Sequence, residues 1–386
     1  MTAPALLARP LQFDRNELAG AFGDLGTDFP LLVGMILASH LDSASVLITY
    51  GVMQVVTGLV YHLPMPVQPL KAVAVLVITQ HVPGNIIYGA GLAIGLTMLL
   101  LASAGVIDWL ARTVPKAVVR GIQLGLGIQL ASLALREYVV ADGAAGWAVA
   151  LIAFAVTVAL IGNRRLPAAL LVVALGIAYA LTFKLHLPEL AAGIGIGLPR
   201  LHVPTWQDVG TGFVVLTLPQ IPLSLGNSIL ATEQIVRDYY PGERVGVRKI
   251  AFTYAGMNLV TPFLSGVPVC HGSGGFAGHY AFGGRTGGSV VLYGGLFVVM
   301  GLLFSDAFTE VVKVFPLPIL GVLLLFEALA LIVLVRDLAD SRADFTTAAL
   351  VAACAAFLPY GYVIGLVLGT ALAYLVRRGL IGLARD

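Results

Sequence analysis

Two short motifs about 200 residues apart constrain this chain more than any other feature. The first is Pro66-Val67-Gln68-Pro69-Leu70-Lys71. The second is Pro268-Val269-Cys270-His271-Gly272-Ser273-Gly274-Gly275. Each breaks an apolar region with proline or glycine, and an apolar run then resumes. Proline lacks a backbone N–H and clashes with the preceding turn, so Pro64, Pro66 and Pro69 exclude a continuous helix. Apolar spans broken at corresponding places in two halves point to the central binding site of a membrane carrier.

Composition supports a membrane chain. Hydrophobic residues make up 59% and charged residues 11%, against about 25% charged in a soluble domain. Such an excess of apolar side chains must face lipid. The net charge of +2 gives no reason to expect a nucleic-acid partner. Cys270 and Cys354 lie in different apolar regions, so neither a disulfide framework nor a thiolate metal site is expected. No cofactor or metal is expected. Arg9, Asp14 and Arg15 interrupt the start of the chain, which reads as lacking a cleavable signal.

The apolar pattern predicts an all-α polytopic protein of roughly fourteen segments. They fall near 17–38, 43–63, 66–82, 84–104, 115–136, 145–161, 166–185, 208–234, 249–267, 270–283, 287–304, 316–335, 344–358 and 361–377. Amphipathic stretches Val106–Arg112 and Phe308–Lys313 precede Pro115 and Pro316. These prolines, and Pro66 and Pro268, share an offset of about 200. Leu166-Pro167 and Leu358-Pro359 add a further correspondence. Two repeats of about seven segments follow, 17–200 and 201–386, after a cytoplasmic segment 1–16. An odd number of spans per repeat inverts the second copy. Chance agreement in a Pro/Gly-rich chain is the alternative. Lys and Arg, all but Lys71, Arg136, Lys184, Arg200 and Lys313, fall on one side and place both termini in the cytoplasm. A bacterial inner (plasma) membrane is the expected location.

The broken segments carry the candidate chemistry. After Met65–Gln68 in extended form, Pro69 suits the first turn of a helix running from Leu70 to Thr79. A helix starting inside the membrane presents free amides worth roughly +0.5 of a charge and binds anions. Lys71 stands in that turn. Its alternatives are an ion pair with Asp24 or Asp28, or snorkelling to an interface. A second half-helix should begin near Gly272, where Gly272, Gly274 and Gly275 let an oxyanion approach backbone amides. Ser273 adds a hydroxyl. His271 is a ligand, a proton carrier or a structural group, and Cys270 reads as packing. Two helix ends and Lys71 total about +2, which suits a dianion.

Asp24 and Asp28 lie in Gly20–Pro30, where three glycines suggest unwound backbone around a cavity. Asp28, or Thr27, is expected to cap the helix that continues through Pro30. Asp24 is expected to partner a lysine or carry protons. Gln68 accompanies Lys71. Gln220, Asn227 and Ser228, in Pro219–Ser228, suit either substrate binding or interhelical bonding. Glu233 and Glu327 are further carboxylates, Glu233 at the cytoplasmic end.

These residues resemble a known family. Gly20–Asp28, Pro66–Ala72 and Pro222–Ser228 are similar to signatures of the molybdate transporter family within the sulfate permease (SulP) superfamily. The longest match runs from Met257-Asn258-Leu259-Val260 through Val267–Gly275 to Ala277–Tyr280, Phe282–Arg285 and Thr286-Gly287. The resemblance implies an inverted-repeat carrier with core and gate domains and a substrate site between segments 3 and 10. It also implies no carboxyl-terminal regulatory (STAS) domain here, since the chain stops about ten residues after its last expected span. Ser273 stands where the family often has alanine.

The function expected is uptake of a tetrahedral oxyanion by a non-enzymatic carrier, with molybdate first and sulfate next. Substrate ligands would be Gln68, Lys71, Gln220, Asn227, Ser228, His271, Gly272, Ser273, Gly274 and Gly275. Protons are the expected co-substrate, with Asp24, Asp28 and His271 as carriers. A nucleobase–proton symporter is a second transport reading, although it would call for aromatic stacking. A membrane enzyme lacks ligand spacing for a metal site, and a passive channel is a further class. The bilayer is the surrounding partner, and a homodimer is compatible.

Overall fold

Helix ends fall where prolines, glycines and capping side chains put them. The computed structural model describes residues 10–161, 163, 166, 168–183, 194–305 and 316–381. Helix α1, Arg15–Ser39, opens on Asp14, whose side chain accepts from the amides of Asn16 and Glu17. It carries a 3-10 turn at Phe22–Asp24 and Pro30 in its interior. Asp42 caps α2, Ser43–Tyr61, by accepting from Ser45 N. Strand β1 is Gln68–Pro69 and helix α3 is Lys71–Gln80. Then follow α4, Gly84–Ser103, α5, Val106–Thr113, and α6, Lys116–Tyr138. Pro83 and Pro115 are the N-caps of α4 and α6.

Helices α7, Gly143–Leu160, and α8, Ala168–Phe183, complete the first half. Helix α9, Trp206–Tyr239, begins with a reciprocal Thr205–Asp208 capping box. Wider turns at Phe213–Thr217 and Ser224–Ala231 lie on either side of Pro219 and Pro222, accommodating the missing proline donors. Helix α10 is Val247–Val260, β2 is Val269–Cys270, α11 is Ser273–Ala281 and α12 is Gly288–Leu303. Last come α13, Leu317–Leu338, α14, Arg342–Phe357, and α15, Gly361–Arg377.

Among the described residues, 7 helices are long and apolar enough to cross a membrane: α1, α2, α4, α6, α7, α9 and α13. The protein is an integral membrane protein. Expected segments 66–82 and 270–283 hold only the short helices α3 and α11. Segment 249–267 ends its α-helix at Val260, then makes a 3-10 turn at Thr261–Leu264. Pro69 lies in β1, and α3 begins only at Lys71, so the expected helical role of Pro69 is corrected. The amphipathic stretch at 308–313 lies outside the described residues, as do Arg164, Arg165, Pro167 and Lys184.

Small residues let helices touch backbone to backbone. A Cβ on Gly51 of α2 would stand 2.5 Å from the Gly294 carbonyl of α12, and one on Gly58 2.6 Å from that of Gly287. Where α1 crosses α11, a Cβ on Gly278 would stand 2.5 Å from the Gly23 carbonyl.

The two motifs meet at the centre. β1 and β2 pair antiparallel, Gln68 opposite Cys270 and Pro69 opposite Val269. Leu70 N donates to Pro268 O at 3.1 Å. Each strand is also held by one amide side chain. Gln54 of α2 accepts from Val67 N at 2.9 Å and donates to Val67 O at 2.7 Å. Asn258 of α10 accepts from Val269 N at 2.9 Å and donates to Val269 O at 2.6 Å. Buried backbone groups of extended chain are thereby satisfied.

Candidate functional site

Helices α3 and α11 both start from the paired strands, without side-chain caps at Leu70 or Gly272. The first amides of a helix have no intrahelical acceptor. One of them is already engaged: Ala72 N donates to Gln220 Oε1 at 2.9 Å. Gln220 also donates to Ser224 at 3.1 Å.

Three carboxyl groups converge beside these helix ends, and Asp24, Asp28 and Glu327 are all fully buried. Asp24 Oδ1 accepts from Gln68 Nε2 at 2.6 Å. Its Oδ2 has no hydrogen-bond partner and lies against Gly275, where a Cβ would overlap it. Glu327 of α13 accepts from the Thr27 hydroxyl through Oε2 at 2.7 Å. Its Oε1 is unpartnered and lies 2.5 Å from where a Gly274 Cβ would stand. Asp28 accepts from the Tyr50 hydroxyl, and its other oxygen is unpartnered. The ammonium nitrogen of Lys71 is buried and makes no hydrogen bond, yet its charge acts on all three carboxyls.

The expected site residues therefore divide. Gln68, Lys71, Asp24, Asp28, Gly274 and Gly275 come together in one cluster. Gly272 packs against the Gln68 side chain. Ser273 donates to Asn227 Oδ1 at 2.8 Å, which joins α11 to α9. Ser228 keeps a buried, unpartnered hydroxyl. Gln220 and Asn227 bind protein groups here, in keeping with their interhelical reading.

One expectation is corrected, and for His271 the structural alternative is the one its partners favour. Asp28 does not cap a helix; the second part of α1 has Asp24 at its N-cap, without a side-chain cap bond. His271 is engaged at both ring nitrogens, with Pro66 O at 2.9 Å and Thr253 Oγ1 at 2.8 Å. It braces the strand pair. Lys71 bonds neither Asp24 nor Asp28. Sequence reasoning assigned no role to Glu327 or to Tyr50. A lone glutamate inside the apolar run Leu317–Leu331 was the available signal for the first. Nothing local distinguishes Tyr50 from other membrane tyrosines.

Lys71 also lines a cavity of about 750 Å³, with Gln80, Gln129, Pro219, Tyr360 and Tyr362 among its walls. A second cavity, of about 580 Å³, lies by Arg120, Asp238, Tyr239 and Asp337. Arg120 and Gln129 stand on the same helix, about 14 Å apart along it. Arg120 is buried, at 2% exposed, and ties three helices together. It forms an ion pair with Asp238 of α9 at 2.7 Å and donates to Asp337 of α13 at 2.7 Å. Lys116 reaches Asp337 at 2.6 Å.

Comparison with known proteins agrees with this architecture. A family model described as "Molybdate transporter of MFS superfamily" matches residues 16–130 and 212–331. Molybdate transporter 2 of Arabidopsis thaliana is 33% identical over 378 residues, covering 86% of this chain and 81% of that protein. Molybdate transporter 1 of Chlamydomonas reinhardtii is 28% identical over 477 residues, covering 92% and 91%. Among solved structures, the transmembrane domain of the cyanobacterial bicarbonate transporter BicA superposes with TM-score 0.57 at 14% identity. It covers 93% of this chain and 97% of that one. SLC26A9 superposes with TM-score 0.58 at 14% identity, covering 95% of this chain but only 65% of that one. These likenesses show that the chain shares the fold of those two structures. With the family model matched in both halves of the chain, the protein belongs to the molybdate transporter family.

Proposed function

We propose that this protein is a secondary carrier that imports molybdate by alternating access, driven by protons. The supporting observation is the buried, unbonded ammonium of Lys71 beside two helix amino termini and three carboxyl groups. Sulfate, another tetrahedral dianion, is the close competitor, because charge alone does not separate the two. Lys71 and the amides of Gly274 and Gly275 hold the oxyanion, with the Ser228 hydroxyl nearby. In this reading residues 17–200 and 201–386 are inverted repeats of seven segments each, and both termini are cytoplasmic. The matched strand clamps at Gln54 and Asn258 favour the repeat.

Charge favours proton coupling. Counted as if all three carboxyls were ionised, the cluster with Lys71 and two helix ends of about +0.5 each sums to about −1. A dianion arriving alone would make that about −3 in a buried site. A dianion arriving with two protons leaves it at about −1. Asp24 is the first candidate carrier because one of its oxygens is unpartnered beside Gly275. Asp28 is the second. His271, with both nitrogens engaged, is left out.

Labelled molybdate uptake into proteoliposomes tests the substrate assignment. Excess unlabelled molybdate and tungstate should abolish the signal, sulfate should reduce it, and uracil should leave it unchanged. Inhibition by uracil alone would replace the oxyanion reading with a nucleobase one.

A further inference from the structure

Glu327 stands on α13, far in sequence from both broken motifs, yet its carboxyl lies on the face of α11 that should receive the substrate. Its Oε1 is 2.5 Å from where a Gly274 Cβ would be, and its Cγ lies 3.4 Å from that of Gly278. Gly274 and Gly278 are one helical turn apart and share a face. The glutamate side chain thus fills the groove that these glycines leave. Oε2 is held by the Thr27 hydroxyl at 2.7 Å, whereas Oε1 has no hydrogen-bond partner and is fully buried. An oxygen so placed lies beside the first turn of α11, where a negative charge opposes an oxyanion arriving at the free amides.

We propose that Glu327 is a built-in counter-ligand. Its carboxylate flanks the first turn of α11, opposes the oxyanion there by its charge, and ceases to oppose it by taking up one of the co-transported protons. An ionised Glu327 would then keep the dianion from the cradle until a proton arrives, which couples binding to protonation at one atom. This rests on the proton-symport reading above. The ionisable groups facing Glu327 are Asp24 and Asp28 from α1, Lys71 from α3 and Tyr293 from α12, and α11 adds the buried His279, whose ring lies edge-on to that of Tyr293. From α6, Gly127 packs against α13 near Ala328. Helix α7 has no ionisable residue and α8 only Tyr179. Lys71 is the one cation facing the cluster among the described residues, and it is shared by three carboxyls. A neutral Glu327 leaves more of its field for the substrate.

The test is the pH dependence of molybdate affinity, measured by calorimetry on the purified full chain at near-neutral pH. Protons taken up on binding set the slope of log Kd against pH. In the wild type the slope should approach two, with affinity rising as pH falls. In Glu327→Gln it should approach one, and at the alkaline end the variant should bind about tenfold tighter than wild type, one proton's dependence over one pH unit. Thr27→Val, which only releases the hydrogen bond to Oε2, should also tighten alkaline binding, and it serves if the first variant does not fold. An unchanged slope in Glu327→Gln beside a wild-type slope of two would overturn the proposal and leave symport standing. Weaker binding at every pH in either variant would overturn it too, by making Glu327 a supporting group. A flat wild-type slope would remove the symport reading and this proposal with it.

Discussion

At the residue scale the account depends on Lys71. It sits at the first helical position after β1, and its ammonium is buried without a bond. Removing it would leave Asp24, Asp28 and Glu327 facing one another with no cation. Lys71→Ala should therefore reduce molybdate binding by more than tenfold, read by calorimetry, while the protein still runs as a folded species on size exclusion. Binding at wild-type affinity would move the anion site elsewhere. Asp24→Asn separates binding from coupling. It keeps a side chain that can bond Gln68 and removes one titrating group. It should retain exchange of labelled for unlabelled molybdate and lose uphill accumulation; continued accumulation would clear Asp24 of the coupling role. Lys71, Asp24 and the glycine amides were legible in the sequence because each is an unusual residue type at an interrupted span. For His271 the structural reading stood open beside the ligand and proton roles, and only its partners Pro66 and Thr253 favour it. The role of Asp28 was not legible, because it depends on Tyr50, on another helix. Glu327 was visible as a costly residue in an apolar helix, but its partner Thr27 lies 300 residues away.

At the scale of elements, prolines and caps fixed most helix boundaries. Most helices fall within a few residues of the runs that hydropathy selects, as α2, α4, α7 and α15 do. What hydropathy could not supply was the internal form of α9 and α10, where wide turns and a 3-10 turn absorb Pro219, Pro222 and Pro262. Nor could it pair β1 with β2, since two-residue strands lack any alternation to read. The Arg120 cluster is a further tertiary feature, joining α6 to the ends of α9 and α13 at the far side from the Lys71 cavity. Arg120→Ala would leave Asp238 and Asp337 without their shared cation. Removing one partner of a fully buried ion pair costs about 3–5 kcal/mol. With Asp337 32% exposed, a loss nearer about 2 kcal/mol is expected. It should appear as a lower thermal midpoint in detergent, partly restored in Arg120→Lys. An unchanged midpoint would show that the cluster contributes little to stability.

At the scale of the molecule, the two broken motifs meet in one antiparallel strand pair, and each sends a short helix away from it. We read this as one repeat used twice, with the ligand groups gathered where the copies meet. Importing a dianion against an inside-negative potential of 100 mV costs about 4.6 kcal/mol, at about 2.3 kcal/mol per charge. A carrier that concentrates a scarce anion must offset that cost, and under the proposed function the carboxyl cluster beside Lys71 takes up the protons. The decisive measurement is accumulation of labelled molybdate in proteoliposomes with the membrane potential clamped at zero and an inward proton gradient imposed or omitted. Proton-driven import predicts transient accumulation above the external concentration with the gradient, and simple equilibration without it. Equal filling in both conditions would contradict proton-driven import.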